Sequence, residues 1–416
     1  MKPGDDLSGG DGMTMCAGQP REAEQPRPVL TRARRLRLLA TLGALSAFGP
    51  LSLDLYLPVL PQLGRDLAAG DALSQLTMSM CLVGLALGQL VAGPLSDRVG
   101  RRRPLLIGVA AYAATSLLCA FAPGIWSLIG VRLVQGLAGA AGLVIARAIV
   151  RDLFDGAAAA RVYSMLMIVS GLAPIAAPLA GAQLSRFMDW RGLFVVLAGI
   201  GVLLVLAALG VPETLDPAER HSGGVRATGR QFAVLARDRS FTGYCLMLSL
   251  AACTLFTYIG LSSFVLQHEY QVGPQPFSVI FAVNSVGIVL AGNLNGLLVG
   301  RYGPRPMLVA GLVVCAAGSV IALGGVAAGW GLPVLLSGLF LMVSSGGLVA
   351  PNASALALIP HGERAGTASA FLGVLQFLAG AVVPPLVSMG GATALSMTLT
   401  ITAAALAALV AMRAVR

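Results

Sequence analysis

The segment GPLSDRVGRRRPLL at residues 93–106 recurs in altered form as GLLVGRYGPRPMLV at residues 296–309. Two glycines, two arginines and a leucine match when the copies are aligned at an offset of 296 − 93 = 203 residues. A second pair of segments, AGLVIARA at 141–148 and GGLVAPNA at 346–353, matches at an offset of 346 − 141 = 205 residues. This self-similarity predicts that the chain contains two copies of one structural unit.

The composition places both copies in a lipid bilayer. Hydrophobic residues make up 56% of the 416 residues, charged residues make up 11%, and the mean hydropathy is +0.83. About twelve apolar runs have roughly the 20 residues that a helix needs to cross a hydrocarbon core. We therefore predict an all-α membrane protein, because lipid offers the backbone no other hydrogen-bond partners. The predicted helices α1 to α12 lie near residues 38–60, 74–95, 104–122, 125–150, 161–184, 192–211, 241–265, 277–299, 307–328, 332–358, 364–388 and 392–411.

The repeat divides these twelve helices into two halves of six. Parallel halves around a central axis are an architecture typical of transporters. The first 30 residues are rich in Gly, Asp, Glu and Pro, which predicts a disordered tail. The predicted organisation is a cytoplasmic tail at 1–35, an N-terminal half at 36–211, a cytoplasmic linker at 212–240 and a C-terminal half at 241–416.

The arginines are distributed unequally between the two sides of the predicted bundle. This bias predicts that both termini are cytoplasmic, because basic loops stay on that side of the membrane. The formal charge of +10 then reflects topology, and we expect no nucleic-acid partner. The arginines of the predicted inner side include Arg32, Arg34, Arg35, Arg37, Arg98, Arg101, Arg102, Arg103, Arg151, Arg161, Arg220, Arg226, Arg230, Arg237 and Arg239, whereas the outer loops contain Arg65, Arg186 and Arg191.

The sequence lacks the motifs that are typical of several other classes of protein. The three histidines, His221, His268 and His361, fall in loops or at helix ends, and neither H-E-x-x-H nor G-x-S-x-G occurs. We therefore expect no enzyme, no metal site and no cofactor. A channel is disfavoured, because no ring of charge or repeated filter segment is present.

Four segments together resemble a known family. GPLSDRVGRRR at 93–103 and RLVQGLAGAAG at 132–142 resemble signatures of the major facilitator superfamily. With SLDLYLPVLPQ at 52–62 and ARAIVRDLF at 146–154, the pattern is similar to drug:proton antiporters of the bicyclomycin and chloramphenicol resistance type. The resemblance covers nearly the whole chain beyond the tail.

The resemblance implies a monomer in the bacterial cytoplasmic membrane that exports small amphipathic drugs by alternating access. It implies the proton gradient as driving force, and phenicol-like antibiotics are one candidate substrate class. The alternative is an exporter or carrier of an endogenous metabolite or sugar with the same fold, which would share the loop motif without needing SLDLYLP or the α5 prolines.

The loop between α2 and α3 is the first candidate functional element. Gly100 permits a tight reversal, and Arg98 and Arg101 help to hold the loop in the cytoplasm. The resemblance implies that Asp97 acts with them as a conformational latch against the other half. The alternative is that Asp97 only offsets its neighbouring arginines. Gly300 stands at the matching position of the second copy, so the latch would be one-sided.

Asp54 and Arg132 are the candidates for proton coupling. Each lies about seven residues from the predicted outer end of its helix, near Pro61 in α1 and Trp126 in α4. A charge in the hydrocarbon costs about 2.5–3.5 kcal/mol, so the two are expected to face each other or a shared wet cavity. Burial favours a protonated Asp54 and Arg132 favours a charged one, so movement of either could switch protonation. The alternatives are a structural pair and a hydrated carboxylate, and Ser46 replaces a second acid found in some related exporters.

The third element is SGLAPIAAPLAGAQL at 170–184 in α5, where small residues and two prolines share a face. It resembles the Gly-Pro-rich element of antiporters in the family, although Ala177 and Ala182 replace expected glycines. The alternative is simple close packing of helices. The residues assigned to this element are Gly171, Pro174, Pro178 and Gly181.

Polar and aromatic side chains within the spans are the candidates for a substrate cavity. Such a lining suits a neutral or amphipathic small molecule. Each residue could instead be a group that packs one helix against another. The predicted cavity residues are Tyr56, Gln135, Phe264, Asn284 and Gln376.

Overall fold

The computed structural model describes residues 32–414 apart from residues 155, 218–219, 221–231 and 233. All regular elements in this part of the chain are helices. Eleven helices are long and apolar enough to cross a membrane, and a bent pair at the start of the described chain makes a twelfth span. The prediction of an all-α membrane protein with about twelve spans is confirmed.

The first span, α1, is bent and interrupted. It consists of Arg32–Ser46 and Phe48–Asp66, which meet at an angle of 41°. The second part contains two short α-helices, Phe48–Asp54 and Leu60–Asp66, with a 3-10 turn between them. Proline lacks the N–H that continues a helix, so Pro58 and Pro61 account for this interruption.

The remaining spans are mostly continuous. An irregular turn separates the two parts of α10, and a π-helical turn at Val265–Glu269 extends α7. The spans are α2 Asp71–Val99, α3 Arg102–Ala120, α4 Ile125–Leu153, α5 Gly156–Leu184, α6 Trp190–Leu209, α7 Arg239–Phe264, α8 Pro274–Tyr302, α9 Pro304–Ala327, α10 Leu332–Ser344 with Gly346–Leu358, α11 Ala365–Ser388 and α12 Ala394–Ala414.

Most helix ends differ from the predicted ones by a few residues, and α7 begins at Arg239, within the predicted linker. Residues 32–35, assigned to the tail, are already helical, and α1 extends to Asp66 instead of ending near residue 60. Residues 1–31 of the predicted tail lie outside the described residues, and so does most of the predicted linker between 218 and 233.

The repeat appears in the backbone at the loops that carry the matching motif. Gly100 after α2 has φ +98 and ψ 165, and Gly303 after α8 has φ +81 and ψ 164. This conformation is essentially restricted to glycine. The two loops therefore share one backbone shape at the offset of 303 − 100 = 203 residues.

The two halves meet along two helix pairs, α2 with α11 and α5 with α8. We call the end of the bundle with the α2–α3 and α4–α5 loops the arginine-rich end, and the opposite end the arginine-poor end. Near the arginine-poor end, one apolar cluster joins both halves through residues such as Leu57, Leu60, Leu261, Val265 and Phe277.

The arginine-rich end is packed differently. There the described residues form two separate apolar clusters, one within α1–α6 with its flanking residue Val211, and one confined to the C-terminal half. One apolar cluster thus joins the halves at the arginine-poor end. At the arginine-rich end no cluster of the described residues joins them, and we infer a cleft between the halves there.

Candidate functional site

Arg132 is the centre of a buried hydrogen-bond network in the N-terminal half. Its side chain is 0% exposed. The guanidinium donates to the carbonyl of Ser52 at 3.0 Å, the hydroxyl of Tyr56 at 3.2 Å, the carbonyl of Thr77 at 3.3 Å and the Gln135 side-chain oxygen at 2.7 Å. Arg132 therefore ties α1, α2 and α4 together.

Aromatic rings complete the surroundings of this guanidinium. Its carbon lies 4.6 Å from the ring centre of Tyr56 and 5.5 Å from that of Phe194. Gln135 in turn donates to the Ser116 hydroxyl of α3 at 2.7 Å. The predicted shared face of Arg132 and Gln135 is present, but both side chains are occupied by their own half.

The expected pairing of Asp54 with Arg132 is wrong. Asp54 is 5% exposed, and among the described residues its carboxylate has no hydrogen bond and no ion pair. Ser52 faces Arg132, and its hydroxyl is 2.7 Å from the Tyr112 hydroxyl of α3. Because successive helical residues turn by about 100°, a residue two positions later points away from that face.

Asp54 faces the other half of the protein instead. It interacts electrostatically with Tyr258 of α7, whose hydroxyl accepts a hydrogen bond from Asn284 of α8 at 2.7 Å. Asp54 also lies twelve residues before the end of α1 at Asp66, deeper than the seven predicted. Burial of a carboxylate without a cationic partner is costly, which marks Asp54 as a candidate functional residue.

Among the described residues, three hydrogen bonds join the halves near the arginine-poor end. In each, a side chain of the C-terminal half donates to a backbone carbonyl of the N-terminal half. The pairs are Ser263 to Leu57 at 2.8 Å, Gln267 to Pro58 at 2.9 Å and Gln275 to Ala182 at 3.1 Å. Farther from that end, the Ser285 hydroxyl lies 3.4 Å from the Pro174 carbonyl, but its nearer acceptor is the Phe281 carbonyl of its own helix at 3.0 Å.

A proline explains why one of these carbonyls is short of a donor. A proline removes the backbone donor for the carbonyl four residues earlier, and Pro178 stands four residues after Pro174. The Leu57 carbonyl, in contrast, also accepts from the Leu60 N–H in the 3-10 turn, so Ser263 is its second donor.

The predicted α5 element lies against both halves. A side-chain carbon at Gly181 would be 1.8 Å from the Leu55 carbonyl of α1, so α5 approaches α1 closely just beyond Asp54. Gly171 faces Val289 of α8. Pro178 is buried, and the Pro174 carbonyl lies 3.4 Å from the Ser285 hydroxyl of α8. The structure thus brings these residues together, whereas their role in export stays a prediction.

The predicted latch residues interact within their own half. Asp97, 44% exposed, forms an ion pair with Arg101 and lies 3.8 Å from Arg151. Arg98 is exposed. Among the described residues, no ion pair joins Asp97 to the C-terminal half, and the halves are apart at this end.

Sequence reasoning missed two acidic partners of this loop. Arg101, only 2% exposed, donates to Asp152 at 2.9 Å and to the Ser96 hydroxyl at 2.8 Å. The carboxylate of Glu213 accepts from the backbone N–H groups of Arg101 at 2.7 Å and Arg102 at 3.2 Å. Asp152 lies in the ARAIVRDLF segment, so the sequence motif could have identified it. Glu213 lies 112 residues beyond Arg101 in the chain, and no motif connects the two.

The environment of Glu213 stabilises its charged form. Partial burial alone raises its pKa, but four backbone N–H donors, beginning with that of Arg101, outweigh this effect and hold the pKa below its ordinary value of 4.5. Glu213 is therefore a carboxylate that holds the end of the N-terminal half against the α2–α3 loop.

A cavity of about 260 Å³ lies within the C-terminal half, between α7, α10 and α11. Its lining is mainly apolar. Of the five predicted cavity residues, Gln376 belongs to this lining. Tyr56 and Gln135 belong instead to the Arg132 network. Phe264 lies in the apolar cluster that joins the halves, and Asn284 donates a hydrogen bond to Tyr258. Lining residues that the sequence did not single out include Leu255, Phe256, Ile288, Met342, Val349 and Phe377.

The comparisons with known proteins agree with this geometry. The profile of the Major Facilitator Superfamily matches residues 42–384, and the chain belongs to that superfamily. It is 38% identical over 370 residues to the uncharacterized MFS-type transporter YdgK of Bacillus subtilis, covering 88% of this chain and 92% of that protein.

Two further relatives have names that refer to drug resistance. The bicyclomycin resistance protein homolog of Haemophilus influenzae is 30% identical over 351 residues, covering 84% of this chain and 88% of that protein. A chloramphenicol resistance protein of Pseudomonas aeruginosa is 30% identical over 296 residues, covering 69% of this chain and 68% of its own length. The resemblance stated from the sequence motifs is confirmed.

The solved structures support the fold. The nucleoside transporter NupG superimposes with a TM-score of 0.74 at 14% identity, covering 91% of this chain and 99% of that chain.

Proposed function

We propose that the protein is a proton-coupled antiporter that exports small amphipathic drugs by alternating access. The observation that carries the proposal is Asp54, a carboxyl buried at the junction of the halves without a cationic partner among the described residues. The names of the drug-resistance relatives support the substrate class. Phenicol-like antibiotics are the first compounds to examine.

In the proposed cycle, drug enters the cleft at the arginine-rich end and places its apolar part in the cavity of the C-terminal half. When the halves rock and the arginine-poor end opens, Asp54 takes up a proton from outside and drug is released. The return closes the arginine-poor end, and Asp54 gives up its proton to the inside. Asp97 and Arg101 serve as a latch when the cleft closes.

The protein would work as a monomer in the bacterial cytoplasmic membrane, with the proton gradient in place of a cofactor and without enzymatic activity. The arginine bias supports cytoplasmic termini. A green fluorescent protein fused to the C-terminus should fluoresce, because it matures in the cytoplasm. A fusion protein that is inserted in the membrane but does not fluoresce would show that the C-terminus lies outside.

The test is drug-dependent proton movement in proteoliposomes that contain the purified protein. Addition of a phenicol should release protons from the wild type and not from Asp54→Asn. Asp66→Asn, at an exposed position of the same span, is the matched control and should behave like the wild type.

The outcome separates the possible roles of Asp54. If Asp54→Asn still exchanges protons for drug, the carboxyl is not the coupling group. If no drug moves protons but a sugar or metabolite does so through Asp54, the alternative of an endogenous substrate replaces drug export.

A further inference from the structure

Arg147 is an exposed residue in an otherwise buried stretch of α4. Its neighbours Ala146 and Val150 are buried, whereas the Arg147 side chain is in contact with solvent. Protein atoms nevertheless surround this side chain on most sides. A side chain with both properties fits a position in a space between helices.

The helices beside Arg147 identify that space. On one side is α2, where a side-chain carbon at Gly93 would lie 3.7 Å from Val144, one turn before Arg147. On the other side is α5, where Tyr163 donates a hydrogen bond to the Arg147 carbonyl at 3.0 Å. Because α2 and α5 form the two main helix pairs with the other half, a side chain between them on α4 is directed toward the space between the halves.

The guanidinium of Arg147 is available to a ligand. Among the described residues it has no hydrogen-bond acceptor and no ion pair, and the ionisable group with which it interacts is the hydroxyl of Tyr163. Arg132, in contrast, has four acceptors. An unpaired charge within a span is costly, so such residues mark the paths of substrates or ions.

The apolar cavity of the other half lies at a similar depth. The internal repeat aligns Arg147 with Asn352 of α10, and the cavity residues Val349 and Ala350 precede Asn352 by three and two positions. Three residues are less than one helical turn. Arg147 and the cavity therefore match in depth along the bundle, as one molecule that contacts both would require.

We propose that the preferred substrates are amphipathic organic anions, with the anionic group bound by Arg147 and the apolar body in the cavity of the C-terminal half. This inference rests on the proposed export function and names its substrate class. Arginine is suited to the role, because its planar guanidinium donates two parallel hydrogen bonds to a carboxylate.

The proposal has a consequence for charge movement. Exchange of one monovalent anion outward for one proton inward moves two positive charges inward, whereas exchange of a neutral drug moves one. Export of an anion should therefore respond more steeply to an inside-negative membrane potential than export of a neutral compound of the same size.

The experiment compares binding of 2-naphthoate and of 2-naphthamide, which have the same apolar body and differ in charge. Equilibrium dialysis with the purified full-length protein should give an affinity about tenfold or more higher for the anion, as expected for a charge-assisted hydrogen bond. Arg147→Gln should abolish this preference by weakening naphthoate binding, with naphthamide binding changed less than about twofold.

Two further variants serve as controls for this experiment. Arg147→Lys keeps the charge and should retain part of the preference, and Arg103→Gln, which removes an exposed charge at the same end, should retain all of it. The proposal is overturned if the wild type does not prefer naphthoate or if Arg147→Gln weakens both ligands equally. Since no proton gradient is needed, this result is independent of the Asp54 test.

Discussion

At the scale of single residues, Arg132 differs from Arg147, farther along the same helix, in that its guanidinium is bound by four acceptors of its own half. Four acceptors from three helices converge on one planar group. A lysine has its donors at a single point and cannot reach acceptors spread over this geometry. The shape of the side chain matters here as much as its charge.

Arg132→Lys should therefore lose most transport and lower the thermal unfolding temperature, although the charge is kept. Each hydrogen bond to the guanidinium that is not remade costs about 1.5–3 kcal/mol. Thermal unfolding in detergent and drug transport in proteoliposomes check this, with Arg65→Lys at an exposed position of α1 as control. A lysine variant as stable and active as the wild type would show that only charge is required.

The relation of Asp54 to Arg132 shows which property of single residues the sequence did not predict. The sequence indicated correctly that both are charges within apolar spans. The pairing failed because matched depth says nothing about rotation around the helix axis. The contacts of Ser52 with Tyr112 and Arg132 fix the rotation of α1, and they turn Asp54 toward Tyr258.

At the scale of elements, the repeated loops after α2 and α8 have the same backbone and different surroundings. A side-chain carbon at Gly100 would lie 2.4 Å from the Glu213 carboxylate, whereas nothing lies within 4 Å of the same position at Gly303. The sequence match predicted the shared shape. It could not predict the contact, because Glu213 has no counterpart in the motif.

We expect Gly100→Ala to be more damaging than Gly303→Ala. Both substitutions strain the backbone by about 1–3 kcal/mol. Gly100→Ala must also displace Glu213 from the N–H groups of Arg101 and Arg102, so its loss of unfolding free energy should exceed that of Gly303→Ala. Thermal unfolding of the two variants in one detergent measures the difference, and equal losses would mean that the Glu213 contact contributes nothing.

At the scale of the whole molecule, apolar runs and an internal repeat were sufficient to predict twelve spans and two halves. They did not predict which end is closed. Closure depends on hydrogen bonds between residues as far apart in the chain as Leu57 and Ser263, and no local sequence pattern predicts such a pair.

The balance between closed and open forms should depend on Ser263. Ser263→Ala removes the side-chain donor to the Leu57 carbonyl and should favour opening of the arginine-poor end. Ser262→Ala is the matched control, because the adjacent Ser262 hydroxyl is equally buried and has no partner among the described residues. Spin labels at Arg65→Cys and Ala328→Cys, both at that end but in different halves, measure the separation.

In the Ser263→Ala background the distribution should gain a longer distance that is absent with Ser262→Ala. Identical distributions for the two alanine variants would mean that the apolar cluster alone keeps the end closed.

The three bonds between the halves near the arginine-poor end also predict where mutations that weaken closure will be found. All three donors are side chains of the C-terminal half, and all three acceptors are main-chain carbonyls of the N-terminal half. A codon change can delete a side chain but cannot delete a carbonyl. Spontaneous variants that loosen this closure should therefore accumulate in α7 and α8, and only rarely at the positions of α1 and α5 that supply the carbonyls.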